Sequence, residues 1–451
     1  MNIARAKMDQ LSRKRRETAL LWVFSGLLVA LTFKQLRIMP FAGPVEISLG
    51  LLATYVFAFS RLQLRAPSLF TLLIVGLGGC AAMGAITSLW FQPAHFNLRD
   101  TIAYFFVAYI CTAYFLLIDR IGHSPARVIG RLIGLYLVFA LIFAWLPSTV
   151  QSYFWYYSVK FQGLSDNPNQ IAFLAIIGSA LLGLEELYER RTDTLAYIAS
   201  GICAVAGILS DSSAYLLAAC LVFSLILLLW LVNVASSVVR SQSLFEQFYS
   251  GRAPRTLLVV GILVAGTLGG QVLWPMVSAK MYSTLHSIDL SGWTNSASMG
   301  PKISDVGRRS PPWSSLTQTV EDSMKADQGQ GSARIELWLA ALNVIKQYPM
   351  FGLGPGPHVR TESIVPLTEA HNTFLDIITI SGLIGAAFFI ALLSVIIYNA
   401  TISGTLWATA LVLAGPLAFS MFHFTGRQPL LWLLLSFVYC AVIKSRTVRL
   451  R

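Results

Sequence analysis

The sequence predicts an all-α protein that crosses a membrane many times, and its composition and its apolar runs are the observations that predict it. Of its 451 residues, 55% are hydrophobic and only 12% are charged, whereas a soluble domain carries about 25% charged residues. Mean hydropathy is +0.65, and apolar runs of spanning length recur from Leu20 to Val442. This pattern excludes a soluble enzyme, a secreted disulfide scaffold and a disordered protein.

A spanning helix needs about 20 mostly apolar residues, and about 12 segments meet or approach that length. In chain order they are Leu20–Phe33, Val45–Ser60, Ser68–Trp90, Thr101–Ile118, Val128–Leu146, Gln170–Leu184, Thr194–Leu209, Ala214–Val234, Thr256–Trp274, Thr373–Tyr398, Thr405–Phe422 and Leu430–Ile443. We therefore predict transmembrane helices 1–9 within residues 1–275, a long loop over 276–370, and helices 10–12 within 371–451.

The positive charges predict which side each loop occupies. With the N-terminus in the cytoplasm, 20 of the 33 Lys and Arg residues fall in cytoplasmic segments, 5 in short outside loops and 8 in the long loop. Short cytoplasmic loops are enriched in Lys and Arg, so this split predicts that both termini are cytoplasmic and that the long loop is periplasmic. It also accounts for the net charge of +12 without a nucleic-acid partner.

The long loop contains one predicted amphipathic helix, residues 332–348. Apolar residues at 3–4 spacing define its stripe, which we expect to pack on the membrane or on the helix bundle; they are Ile335, Trp338, Leu339, Leu342 and Ile345. Arg334 falls in the first turn, where a cation is unfavourable for the helix itself. Free backbone N–H groups there favour an anion, so Arg334 is either an anion-binding residue or a solvated surface residue.

A second polar cluster, Glu369-Ala-His371-Asn372, opens predicted span ten. The helix dipole disfavours an imidazolium at this position, and a neutral imidazole can act as a general base near pH 7. The alternative is a structural histidine. Glu369 could orient the ring, whereas Asp376, five residues on, is expected to point elsewhere.

The remaining candidate residues lie on the same predicted side. Lys160 and Asn169 flank the Asn167-Pro168 turn that enters span six, and Asp211 sits between spans seven and eight, either as a functional acid or as a helix cap. The Gly and Pro residues of 352–357 form a stiff turn that is expected to let the backbone approach a ligand, with Arg360 beside it. No two histidines have metal-ligand spacing, so we expect no metal and no other cofactor.

Three ordered motifs resemble the O-antigen ligase and polysaccharide polymerase superfamily of bacterial inner-membrane proteins. They are Gly163…Asn167-Pro168-Asn169, Arg334-xxx-Trp338…Pro349-xx-Gly352-x-Gly354-Pro355-Gly356, and Ala370-His371-Asn372-Thr-Phe-Leu375. The resemblance covers roughly residues 160–440, and the many spans with a long penultimate outside loop match it as well.

The resemblance implies a membrane glycosyltransferase of the bacterial inner membrane. Such enzymes transfer a glycan from an undecaprenyl-diphosphate carrier to a hydroxyl of a glycan or lipid A-core acceptor, at the periplasmic face and without a metal. It implies that His371 is the base that activates the acceptor and that Arg334 holds the diphosphate. We also expect Asn169, Asp211, Glu369, Asn372 and the cations named below to contact substrate.

The sequence departs from the ligase pattern at one place. Ligases usually carry a Ser-Arg-Gly-like motif where this chain has Ser210-Asp211-Ser212-Ser213, without an arginine. Lys160, Arg360 or Arg427 could replace the missing cation. The departure weakens the ligase interpretation and makes a polymerase slightly preferred.

The alternative from another class is a non-enzymatic flippase or transporter of lipid-linked glycans. Transport paths usually need charged residues inside the spans, and the middles of these spans nearly lack them. A large loop on one side also fits chemistry at one membrane face better than transport.

Overall fold

The computed structural model describes most of the chain and almost all of what it describes is helical. The described residues are 2–33, 43–59, 69–93, 96–121, 125–144, 154–156, 160–165, 167–189, 194–239, 334–359 and 369–449. Predicted span Thr256–Trp274, Arg360 and the first part of the long loop, up to residue 333, lie outside these residues.

Each predicted span that falls on described residues overlaps a helix. The elements are α1 (Asn2–Ala30), α2 (Pro44–Phe59), α3 (Leu69–Phe91), α4 (Leu98–Ile121), α5 (Ala126–Phe143), β1 (Trp155–Tyr156), β2 (Lys160–Phe161), α6 (Pro168–Glu189), α7 (Thr194–Leu209), α8 (Ser213–Val239), α9 (334–347), α10 (Thr373–Ser403), α11 (Leu406–Ser420) and α12 (Pro429–Arg449). The antiparallel β1–β2 ribbon, which pairs Trp155 with Phe161, was not predicted.

Length and hydropathy identify the protein as an integral membrane protein. In the described part of the chain, six helices are long and apolar enough to cross a membrane, namely α3, α4, α5, α6, α10 and α12. Four more are apolar but shorter, namely α2, α7, α8 and α11. The all-α polytopic class is confirmed, while the number of twelve spans stays a prediction.

The helices pack around two central members, α6 and α12. These two are the most enclosed of the six long apolar helices, with 65% and 56% of their spanning windows buried. Because their spanning windows are largely apolar, they can be surrounded by other helices. Around them, α6 contacts α5, α7 and α11, while α10 lies along α3 and against α12.

Helix α10 is broken in its first half. Gly382 has φ 67° and ψ −172°, a conformation essentially restricted to glycine. The break frees the carbonyls of Thr379 and Ile380, which accept hydrogen bonds from the N–H groups of Leu353 (2.8 Å) and Gly354 (2.9 Å). In return the Leu383 N–H donates to the Pro349 carbonyl at 2.7 Å. The loop after α9 thus replaces the helical bonds that α10 lacks, as irregular backbone inside a membrane protein requires.

This loop lies in close backbone contact with both α10 and α3. A Cβ atom on Gly352 would lie 2.3 Å from the Thr379 carbonyl oxygen, and one on Gly354 would lie 2.4 Å from the Cα of Ala85. A Cβ atom on Gly84 of α3 would lie 2.3 Å from the Ile380 oxygen. The close approach expected at these glycines is present, and the expectation that the turn approaches a ligand stays a prediction. In this structure the glycines let the loop lie against the backbone of α3 and α10.

The amphipathic helix α9 is present, and it buries a face other than the predicted stripe. Leu337 and Ala341 are buried in a small cluster with Val359 and Ala370. Three stripe residues are exposed in the described structure, namely Ile335, Leu339 and Leu342. Of the two surfaces expected to cover the stripe, the membrane fits this exposure better than the bundle.

Candidate active site

The site is built on the turn that precedes α10, and His371 is its centre. His371 adopts φ 51°, a left-handed backbone conformation that is uncommon outside glycine. The next residue, Asn372, caps α10 by accepting hydrogen bonds from the N–H groups of Phe374 (3.0 Å) and Leu375 (3.2 Å). The predicted start of the tenth span is confirmed here, with Asn372 in a capping position.

The buried carboxylate of Asp376 holds both sides of the His371 turn. One oxygen accepts a hydrogen bond from the Ala370 N–H at 2.7 Å, and the other accepts from the Asn372 N–H at 3.1 Å. The expectation that Asp376 points elsewhere is therefore wrong: it faces the backbone of this turn. Its two bonds flank His371 and stabilise the strained conformation that presents the imidazole.

The surroundings of His371 favour its neutral form. The residue as a whole is exposed, yet enough protein surrounds its imidazole that desolvation lowers its pKa below the usual 6.5. The positive charge of Arg334 lowers that pKa further. The imidazole can therefore accept a proton, as a general base must.

Arg334 is the first residue of α9 that the structure describes, and it lies close to this turn. Its guanidinium carbon is 5.8 Å from the centre of the Phe422 ring, within the range of a cation–π contact. Trp338, one helical turn on, packs on the same ring with 6.4 Å between ring centres. Within the described part of the chain no carboxylate forms an ion pair with Arg334.

A second histidine, His423, joins the site from the turn between α11 and α12. Its ring stacks on Phe419 with 4.7 Å between ring centres. Desolvation, with smaller contributions from Arg334 and His371, lowers its pKa to about 3. Sequence reasoning missed His423. The signal was its place in the last predicted outside loop, on the same membrane side as His371.

Buried hydroxyl groups connect the two histidine turns. The Thr373 hydroxyl donates to the His423 carbonyl at 2.7 Å and accepts from the Thr425 N–H at 2.8 Å. The Thr425 hydroxyl in turn lies 2.7 Å from that of Ser420. Because these hydroxyls are buried and bonded to one another, the two turns keep a fixed separation.

Arg427 and Glu369 pair with each other beside the site. Arg427 also forms an ion pair with Asp100 at 3.2 Å, and its guanidinium carbon lies 5.5 Å from the Phe424 ring centre. Both members of the pair were predicted to contact substrate. The structure gives Arg427 two carboxylate partners, so it is engaged in linking α4 to the His371 turn.

Lys160 and Asp211 form a separate ion pair. Their charged atoms are 3.3 Å apart, with side-chain exposures of 30% and 54%. Asp211 has φ 50°, and the Ser212 hydroxyl has no hydrogen-bond partner within the described residues. These contacts do not support the capping alternative for Asp211. Asn169 lies at the start of α6, where its N–H donates to the Asn167 side chain at 2.8 Å.

Comparison with known families finds a match to part of the chain. Residues 198–390 match the family of O-antigen ligases, and this segment includes Arg334, His371 and Asp376. The predicted resemblance to the O-antigen ligase and polymerase superfamily is confirmed over these residues. His423 and Arg427 lie beyond the matched segment. Neither the curated proteins nor the solved structures gave a match to the chain.

Proposed function

On the premise that residues 198–390 are an O-antigen ligase family segment, we propose that this protein transfers a glycan from an undecaprenyl-diphosphate carrier to a sugar hydroxyl. We propose further that it acts at the periplasmic face of the bacterial inner membrane, with both termini cytoplasmic. The observation that carries the proposal is the convergence of one available cation, Arg334, and a neutral imidazole, His371, at one end of α10.

Arg334 is the proposed contact for the diphosphate. A planar guanidinium matches phosphate oxygens with paired N–H groups, and Arg334 has no ion-pair partner among the residues that the structure describes. The leaving diphosphate gains negative charge as the glycosidic bond breaks. A fixed cation at that position stabilises the transition state more than the ground state.

His371 is the proposed general base. The acceptor O–H gives its proton to the imidazole while the oxygen forms a bond to the anomeric carbon. The bond from that carbon to the diphosphate oxygen breaks, and the electron pair leaves with the diphosphate. Direct displacement of this kind inverts the configuration at the anomeric carbon.

Polymerase rather than ligase activity is the preferred form of this proposal. The ligase-type arginine is absent from 210–213, and the residue in its place, Asp211, pairs with Lys160. Arg427 is engaged by two carboxylates. Arg360 is then the remaining candidate for a second phosphate-binding cation, and Lys160 would first have to leave Asp211.

Variants expressed in a deletion strain test His371 as the base and Arg334 as the diphosphate contact. We expect Arg334→Ala to abolish glycan display nearly completely and Arg334→Lys to restore it only in part. We expect His371→Gln to fail as well, by about 10²- to 10⁴-fold, because the amide cannot take up a proton. Each membrane level is measured alongside, and normal display from His371→Gln would eliminate His371 as the base.

The glycan phenotype of the deletion strain distinguishes the two transferase activities. Loss of a polymerase leaves single lipid-linked repeat units, whereas loss of a ligase leaves long lipid-linked polymer unattached. A reporter fused near Ser315 should read as periplasmic. A cytoplasmic signal there would put Arg334 and His371 on the wrong face for this reaction.

A further inference from the structure

We propose, building on the function above, that His423 is an acceptor-binding residue whose imidazole hydrogen-bonds to hydroxyl groups of the incoming sugar. The proposal concerns a residue outside the family-matched segment 198–390. It assigns the two ligand chemistries of the site to different groups: the diphosphate to Arg334 and the sugar hydroxyls to His423.

The backbone of His423 lies between the turn of His371, the proposed base, and Arg334, the proposed diphosphate contact. Its carbonyl accepts the Thr373 hydroxyl at 2.7 Å, and Thr373 is two residues after His371. The residue before it, Phe422, lies under the Arg334 guanidinium at 5.8 Å. The turn that carries His423 is therefore hydrogen-bonded to the His371 turn and packed against Arg334.

The ring of His423 is supported by packing, but its nitrogens are not used inside the protein. One ring face stacks on Phe419, which is buried. Neither ring nitrogen makes a hydrogen bond to any residue that the structure describes. A second polar group nearby, the Trp338 indole N–H, is buried and has no partner in that part of the chain either. A buried N–H without a partner, such as that of Trp338, is unfavourable, and a bound ligand can supply hydrogen bonds to it and to the ring nitrogens of His423.

A neutral ring is better matched to sugar hydroxyls than to a charged phosphate. With its pKa lowered to about 3 by desolvation, Arg334 and His371, the imidazole is neutral at any physiological pH. A neutral imidazole offers one donor and one acceptor, which matches hydroxyl groups that both donate and accept. The neighbouring rings of Phe422 and Trp338 offer apolar faces to the C–H groups of a sugar.

Two substitutions separate substrate contact from packing. His423→Phe keeps the stack on Phe419 and removes both nitrogens, whereas His423→Gln removes the ring and keeps a donor and an acceptor. We expect glycan display to fall about 10- to 100-fold in His423→Phe, since two hydrogen bonds are lost. We expect His423→Gln to stay within about threefold of the unsubstituted protein.

A purely structural role predicts the reverse order, with Phe tolerated and Gln defective in membrane level. That order of glycan display, after normalisation to the membrane level of each variant, would overturn the proposal. Equal full display from both variants would overturn it too.

Retention of the donor provides the second measurement. The probe is lipid-linked glycan extracted from the deletion strain, bound to purified full-length protein in lipid nanodiscs. We expect His423→Phe to retain the donor within about twofold, while Arg334→Ala loses it. Loss of donor in both variants would make His423 part of the diphosphate site and contradict an acceptor role. If His371→Gln remains active, the proposed function itself fails, and that result is distinct from either outcome for His423.

Discussion

Asp376 offers the sharpest test of how the base is positioned. Its carboxylate accepts the N–H groups of Ala370 and Asn372, on either side of His371, and does not touch the imidazole. Asp376→Asn preserves the shape of the side chain. It keeps one acceptor oxygen but places an NH₂ group against the second backbone N–H. The substitution therefore removes one of the two bonds that hold the turn.

The size of the effect follows from these bonds and from the strain at His371. A buried N–H left without a partner is destabilised by about 1–3 kcal/mol. The left-handed conformation of a residue with a Cβ is itself unfavourable by about 1–2 kcal/mol, so a weakened turn can relax by rotating His371 out of it. Since about 1.4 kcal/mol is a factor of ten, we expect roughly 5- to 150-fold less glycan transfer.

The assay is glycan display in the deletion strain, normalised to membrane level, together with donor retention in nanodiscs. Donor retention should not change, because the diphosphate contact is at Arg334. Asp100→Asn is the matched control: it removes a carboxylate charge from the neighbouring ion pair with Arg427 and leaves the bonds to the turn intact, so we expect less than about threefold loss. Full display from Asp376→Asn at normal membrane level would refute the positioning role, as would an equal loss in Asp100→Asn.

Two further predictions concern pH and the broken helix. The pKa of His371 is below 6.5 because of desolvation and Arg334, so activity should fall only as the pH drops through that lowered value. Arg334→Gln removes one cause of the lowered pKa, so the acid limb of the variant's residual kcat/KM should move to higher pH. An unmoved limb would show that Arg334 does not act on the base. Gly382→Ala should unfold at clearly lower temperature, since its Cβ would lie 2.1 Å from the Met350 oxygen at φ 67°. Gly183→Ala, with nothing within 4 Å of the added Cβ, should be neutral or more stable by up to about 1 kcal/mol; equal melting of the two variants would contradict the account of the break.

The sequence predicted those features of the site that depend on local pattern. The helix start at Thr373, the amphipathic helix that contains Arg334 and the histidine before α10 all follow from neighbours within a few residues. The role of Asp376 was missed because helical spacing describes which side chains meet, whereas this carboxylate bonds to backbone N–H groups.

The features that were missed or misread depend on contacts between distant parts of the chain. His423 follows His371 by about 50 residues, and only the packing of α10 against the α11–α12 turn brings them together. Gly352 and Gly354 were correctly expected to permit a close approach, but the partner could not be read locally. It consists of the backbone of α3 and α10, which both pack closely against the loop.

The contact among α3, the loop after α9 and the break in α10 also determines when the site can assemble during synthesis of the chain. Gly84 and Gly382 are separated by roughly 300 residues, and a chain is synthesised at about 5–20 residues per second. Helix α3 is therefore synthesised roughly 15–60 s before its partner α10. Arg334 and His371 cannot take up their final separation until that partner arrives. The nascent protein is thus inserted well before it is competent, and the last helices made complete the site.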